Sequence, residues 1–233
     1  MSIVCIIASH LSSIQRFLWL NEAIISALEG LNADRIIVAY SGNIDIIRSS
    51  DPKVKYINSP VKKYQFDHIE SCMQHIQPTD YVVFMDDDDM FLPTAGKLVR
   101  EFISDSNNVS CLGCQITTLD NDNIHNAFNY KNIIDHYDDL MIGFNVSIGK
   151  GSFGKYNDLY RSYDTPDTIC RGSELMIYFE TRDVQWKIAL QFEPYSKGEE
   201  DLVFGKYQEK LSGYKRVSEP YMFHRLHNLR RDY

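Results

Sequence analysis

The 233-residue chain reads as an α/β protein built on a mostly parallel sheet flanked by helices. Three observations predict this. Short, wholly apolar runs recur through the first half, as strands buried on both faces require. Segments with helical spacing alternate with them. The fourth run, "YVVFMDDDDMFLP" (Tyr81 to Pro93), ends in four consecutive carboxylates. Like charges so close repel one another and gain from a nearby cation.

Ile3 to Ala8 is the first apolar run. In "SHLSSIQRFLWLNEAIISALEGLNA" the residues Ile14, Phe17, Leu18, Ile24, Ile25, Leu28 and Leu31 keep helical spacing, with a Ser-rich start and a Gly near the end. Strands follow at Arg35 to Tyr40, closed by Ser41-Gly42, and at Lys53 to Asn58. Phe66 to Ile76 reads as a helix and Asp80 to Met85 as the fourth strand. A helix is expected from Pro93 to about Ser104, then a strand over Val109 to Leu119. From Asn121 to Asp167 the chain is rich in Asn, Asp, Tyr and Gly, and the alternation stops. "ELMIYFE" and "VQWKIALQFE" are expected as strands, Glu199 to Leu211 as an amphipathic helix, and "YKRVSEPYMFHRLH" as a strand with a tail. The expected organisation is one domain, with residues 1–119 as a ligand-binding half and 120–233 as a smaller mixed region.

Apolar residues make up 44% and charged residues 24%, which suits a globular core. The net charge of −8 weighs against a nucleic-acid partner, despite the basic "HRLHNLRRDY" end. Five cysteines, an odd number, do not suggest a disulfide framework. Cys111-Leu-Gly-Cys114 has metal-knuckle spacing without a second pair, and packed thiols explain it better than zinc. The opening "MSIVCIIASH" turns polar too soon for a signal peptide, and no run is long enough to span a membrane. A reduced, cytoplasmic location is the expectation.

In an open parallel sheet, ligands bind beyond the carboxyl ends of the strands, which is where Asp86 to Asp89 fall. Hard oxygen ligands there suit Mg²⁺ or Mn²⁺ shared with a phosphate. One or two acids would fit a solvated turn; four fit it poorly. "FMDDDDMFLP" resembles the Asp-x-Asp-Asp segment of GT-A glycosyltransferases, especially the large inverting family 2-like group. "SIVCIIASHLSSIQRFLWLNEAIISAL" resembles that group's opening strand and helix, "GEEDLVFGKYQEKLSGYKR" its Glu-Asp helix, and "YMFHRLHNL" its closing Arg-x-His segment. The resemblance touches about 1–120 and 195–230.

The resemblance implies a GT-A fold and an inverting, metal-dependent transfer of sugar from a nucleotide-diphosphate sugar, UDP-linked, to a glycan or glycoconjugate hydroxyl. Asp86 would face the ribose and sugar, Asp88 would bind the metal, and Asp89 would support the loop. Ala8, Ser9, Tyr40, Lys63, Asp86 and Asp87 are the candidate donor-binding set. Tyr40 stands where the group commonly carries a pair of acids that hold the base, and a ring there offers stacking instead. Lys63, in "KKYQFDH", is a candidate for the donor phosphates, although a lone Lys pair is usually solvated surface. His227, two residues after Arg225, is a candidate third metal ligand, against a plain basic tail. Asp201 is the candidate catalytic base. Acids at a helix start also serve its dipole, and Ser196-x-x-Glu199 has capping-box spacing.

"GKGSFG" (Gly149 to Gly154) matches a dinucleotide-binding Gly pattern but follows no suitable strand, and reads as a loop. A nucleotidyltransferase of sugar phosphates is the first alternative, disfavoured because "IIASHLSSIQR" lacks the Gly-rich loop such enzymes carry. A non-catalytic carbohydrate-binding domain is the second; 15 Tyr and 12 Phe suit sugar stacking, but it needs no clustered acids.

Overall fold

The computed structural model describes residues 2–42, 48–105, 111–113, 115–118, 129–135, 137, 159–162, 167–212, 214–216 and 221–224. Strand β1 (Ile3–Leu11) leads into helix α1 (Ile14–Glu29), then β2 (Arg35–Gly42), β3 (Val54–Ser59), α2 (Gln65–Cys72) and β4 (Tyr81–Asp86). A 3-10 turn over Met73–His75 extends α2 to almost the expected length. After the two-residue β5 (Met90–Phe91) comes α3 (Ala95–Asp105), then β6 (Cys111–Gly113), β7 (Gln115–Thr118) and α4 (Tyr130–Asp135). The described remainder holds β8 (Leu159–Ser162), β9 (Asp167–Arg171), α5 (Gly172–Glu180), α6 (Arg182–Ala189), α7 (Glu200–Ser212), β10 (Tyr214–Arg216) and β11 (Met222–His224).

The main sheet has seven strands in the order β10-β6-β9-β4-β1-β2-β3. β3, β2, β1 and β4 are parallel neighbours, and β9 runs antiparallel between β4 and β6. The chain winds outward from β1 to β3, then crosses back to place β4 on the other side of β1. The strand order therefore reverses between β1 and β4, the position at which open α/β sheets bind ligands. Ala8 pairs with Asp86 there. A second, mixed sheet has the order β5-β11-β7-β8.

Two apolar layers cover the main sheet. On one face Cys5, Ile7, Ile36, Val38 and Val83 pack with Leu20, Ala23 and Ile24 of α1 and Val99 and Phe102 of α3. On the other, Val4, Ile6, Ile37 and Val82 meet Phe66 and Ile69 of α2, Tyr178 of α5 and Phe204 of α7. Adjacent strand residues thus serve opposite layers, which is why the strands read as continuous apolar runs.

Three expectations are corrected. α1 forms where expected, capped by the Ser13 side chain, which accepts from the Arg16 backbone N–H. Its buried face, however, runs through Arg16, Trp19, Leu20, Ala23, Ile24 and Ala27, while Ile14, Leu18 and Ile25 are exposed. Apolar residues lie on its exposed face as well as its buried one, so spacing alone does not choose its inner face. "ELMIYFE" and "VQWKIALQFE" are helical rather than extended, as α5 and α6. Gly172, Leu175 and Tyr178 are buried at intervals of three, and Glu174 accepts from the Arg171 backbone N–H at 3.1 Å to secure the α5 start. A short apolar run carries no period that separates strand from buried helix. Finally, the run over Val109 to Leu119 divides between two sheets, β6 in the first and β7 in the second.

α3 lies directly on the end of α1. The Gly96 backbone N–H donates to the Gly30 carbonyl at 2.9 Å, and a Cβ on Gly96 would come 2.5 Å from the Leu31 carbonyl oxygen. Gly96→Ala is therefore expected to destabilise the domain by about 1–3 kcal/mol, the usual range for overpacking. Urea unfolding checks this; an unchanged midpoint would mean the two helices are not in close register.

Candidate functional site

The site grows from the end of β4. Asp86 is half-buried, while Asp87, Asp88 and Asp89 are each only 3% exposed. The loop closes on itself, the Asp89 N–H donating to the Asp86 carbonyl at 3.3 Å. Backbone pairing of β5 with β11 and the Ser26 hydroxyl, which accepts from the Phe91 N–H at 3.0 Å, fix its far end. Asp86, Asp88 and Asp89 each turn one oxygen to a common space, with all three atoms within 4.8 Å of one another. Three hard carboxylate donors so placed fit Mn²⁺ or Mg²⁺.

Asp87 faces inward. One oxygen accepts from Arg16 Nη1 at 2.5 Å and the other from the Ser9 hydroxyl at 2.5 Å. The same Arg16 nitrogen lies 3.3 Å from Asp88 Oδ2. Burial raises the Asp87 pKa, the Asp88 charge adds to the rise, and Arg16 with Ser9 opposes it. One guanidinium thus stands among four carboxylates. Asp86 also accepts from Gln65 Nε2 at 2.5 Å, which joins the rim to the start of α2.

The other expected residues lie on several elements. Ala8 and Ser9 lie at the switch point, in register with Ala39 and Tyr40 of β2. The Tyr40 ring is 6% exposed and packs edge-on against Tyr56 at 6.4 Å. Stacking on a base would require the ring to leave that packing, so the structure does not support this expectation for Tyr40. Lys63 is half-buried in the loop between β3 and α2, close enough to lower the His68 pKa. Asp201 is exposed in the first turn of α7. His227, Arg225, Cys114 and the Gly149–Gly154 segment lie outside the described residues. β11 nevertheless brings the chain toward the rim. Phe223 pairs with Met90, the residue that follows Asp89.

Several site residues escaped the sequence reading. Arg16 had a signal: it shares a helical stripe with Leu20, Ala23 and Ile24, and a charge on such a stripe implies a buried partner. At the end of β2, Ser41 Oγ lies 3.1 Å from His10 Nδ1 and 3.0 Å from His68 Nε2. Ser41 stands at the strand end where the resembled group commonly carries acids, and no local pattern announces its two histidine partners. Next to Asp201, the Glu200 carboxylate is 2% exposed and held by Arg182 and Tyr178.

A family model described as "Glycosyl transferase family 2" matches residues 15–196. That span takes in the first helix, the acidic rim and the approach to α7. The chain belongs to glycosyl transferase family 2. It is thus a glycosyltransferase domain of the GT-A fold. Among solved structures, S. aureus TarS matches with a TM-score of 0.52 at 11% identity, over 97% of this chain and 37% of that chain. A structure of TarS 1-349 in complex with UDP matches with a TM-score of 0.50 at 11% identity, over 97% and 61%. A Francisella tularensis 2-C-methyl-D-erythritol 4-phosphate cytidylyltransferase matches with a TM-score of 0.49 at 11% identity, over 95% and 93%. At this identity the two TarS likenesses speak to the fold alone. The chain thus spans little more than a third of the TarS chain. No curated protein matches the sequence. Among the described residues no helix is long and apolar enough to cross a membrane.

His68 carries a testable consequence of its burial. Burial first, then the nearby Lys63 and His10 charges, lower its pKa to about 4 against the opposing pull of Asp67. The folded state therefore binds its proton less readily than the unfolded chain, so stability is present above about pH 6.5 and falls as pH drops toward 4. Wild type is expected to lose about 2 kcal/mol through this group between pH 7 and pH 5. His68→Gln should lose that much less over the same interval in urea unfolding. Equal acid losses in both proteins would contradict the assignment.

Proposed function

We propose that the domain transfers a sugar from a nucleotide-diphosphate sugar to a hydroxyl of a glycan or glycoconjugate, with inversion at the anomeric carbon. The observation that carries this is the convergence of Asp86, Asp88 and Asp89 at the β1/β4 switch point of a family 2 domain. A UDP-linked donor is part of the proposal; TarS, which shares the fold, was solved with UDP.

Asp86, Asp88 and Asp89 are proposed to hold Mn²⁺ or Mg²⁺, with His227 as a further ligand. The ion when bound supplies Lewis-acid stabilisation of the departing diphosphate. Asp86, through its link to Gln65, sets the edge against which the donor sugar and ribose rest. Ala8 and Ser9 form the floor of the nucleotide cleft, and Lys63 meets the negative phosphates. Asp87 acts from beneath, its carboxylate fixed by Arg16 and Ser9 so that the loop holds its shape. Asp201 accepts the proton of the acceptor hydroxyl. The acceptor oxygen then bonds to the anomeric carbon as the bond from that carbon to the phosphate oxygen breaks. The bonding pair leaves with the diphosphate, and attack from the face opposite that leaving group inverts the anomeric carbon. The free thiols of Cys5, Cys72 and Cys170 are buried, and burial raises the pKa of Cys5 and Cys72, so they are structural in this scheme. A cytoplasmic setting is proposed with it.

Two substitutions test the scheme. Asp88→Ala should abolish Mn²⁺-dependent binding of the nucleotide sugar in calorimetry, and retained metal dependence would remove Asp88 from the metal site. Asp201→Asn should leave donor affinity nearly intact while transfer falls at least about 10²-fold, within the usual worth of a general base. Collapse of donor binding along with transfer would make Asp201 structural.

A further inference from the structure

The helix that carries Asp201 is held by an ion cluster outside the acidic rim. Arg182, at the start of α6, donates from Nε and Nη2 to the two oxygens of Glu200, at 2.6 and 2.5 Å. Its Nη2 also reaches Asp67 at 2.8 Å, and its Nη1 reaches Glu70 at 3.0 Å, both on α2. The Tyr178 hydroxyl of α5 donates to Glu200 at 3.0 Å. One planar fork therefore joins three helices, a geometry that a lysine ammonium cannot reproduce.

The cluster rests on aromatic packing between the same elements. Phe66 of α2, Tyr178 of α5 and Phe204 of α7 meet with ring centroids 4.7 to 5.9 Å apart. Breaking a buried pair by removing one partner leaves an uncompensated charge, so the arrangement resists drift. α2 has a second attachment. It begins at Gln65, whose amide donates to Asp86. A continuous path thus runs from the rim through Gln65 and Asp67 to Arg182, then through Glu200 to Asp201.

We propose that Arg182 is a positioning residue that sets Asp201 relative to the acidic rim by clamping α7 to α2. This rests on the reading of Asp201 as the base. Arg182 touches neither donor nor acceptor in this scheme; its effect passes through Glu200. A small displacement of a reacting group suffices to cost about 10²-fold in rate, while donor contacts at the rim would be spared.

The test uses the whole chain, as wild type, Arg182→Gln and the charge-retaining Arg182→Lys. Steady-state turnover of a nucleotide sugar with Mn²⁺ is measured together with amide hydrogen exchange of residues 200–206. Both variants are expected to lose about 10- to 100-fold in kcat with donor KM within about threefold of wild type. Exchange should rise at 200–206 and not in β1 or β4. Unchanged kcat, a KM that rises in step with lost turnover, or faster exchange throughout the domain would overturn the proposal. If wild type turns over no nucleotide sugar, the transferase reading fails, and the exchange data alone decide the clamp. A local rise then upholds Arg182 as the tie between α2 and α7, and no rise ends it.

Discussion

Four carboxylates concentrated at the end of one buried strand form the constraint on which the site depends. Three of them are almost wholly withdrawn from water. Their mutual repulsion is only partly met by Arg16, which reaches Asp87 and Asp88 from α1. Such a cluster is costly to maintain for folding alone, because like charges withdrawn from water repel one another. The division of labour within it follows from geometry. Asp87 turns inward to a guanidinium and a hydroxyl, while Asp86, Asp88 and Asp89 turn oxygens toward one another. One acid thus anchors the loop from within while its three neighbours face a common space.

The sheet explains why this occurs at β4. Reversal of strand order beside β1 opens a cleft at the carboxyl ends, and residues there cannot be covered by a crossover helix. The second sheet then builds on the acid loop itself, since β5 follows Asp89 directly and pairs with β11. Segments far apart in sequence, the rim near residue 88 and the chain end near 224, are thereby joined through backbone hydrogen bonds. α7 is tied to α2, α5 and α6, through the ion cluster around Arg182 and the aromatic layer below it.

Much of the fold was legible because β1, β2 and β4 are buried on both faces and so read as unbroken apolar runs. The acidic rim was legible because its residues are consecutive. What escaped reading depended on tertiary contact. The inner face of α1 was obscured because apolar residues such as Ile14, Leu18 and Ile25 also line its exposed face. The sequence does not separate α5 from a strand, because "ELMIYFE" is too short and too apolar to show a period. The clamp of Arg182 on Glu200, Asp67 and Glu70 joins residues more than a hundred positions apart in part, and no local spacing encodes it. Tyr40 looked like a ligand-facing ring from its place after β2, yet burial beside Tyr56 fills that role with core packing instead.

The most direct measurement is anomalous scattering from crystals grown with Mn²⁺ and a nucleoside diphosphate. The account predicts a manganese peak within about 2.0–2.6 Å of oxygens from the Asp86, Asp88 and Asp89 group, with the diphosphate bound to the same ion beside Ala8 and Ser9. A diphosphate bound elsewhere, or seated in that cleft with no metal at the rim, would contradict it.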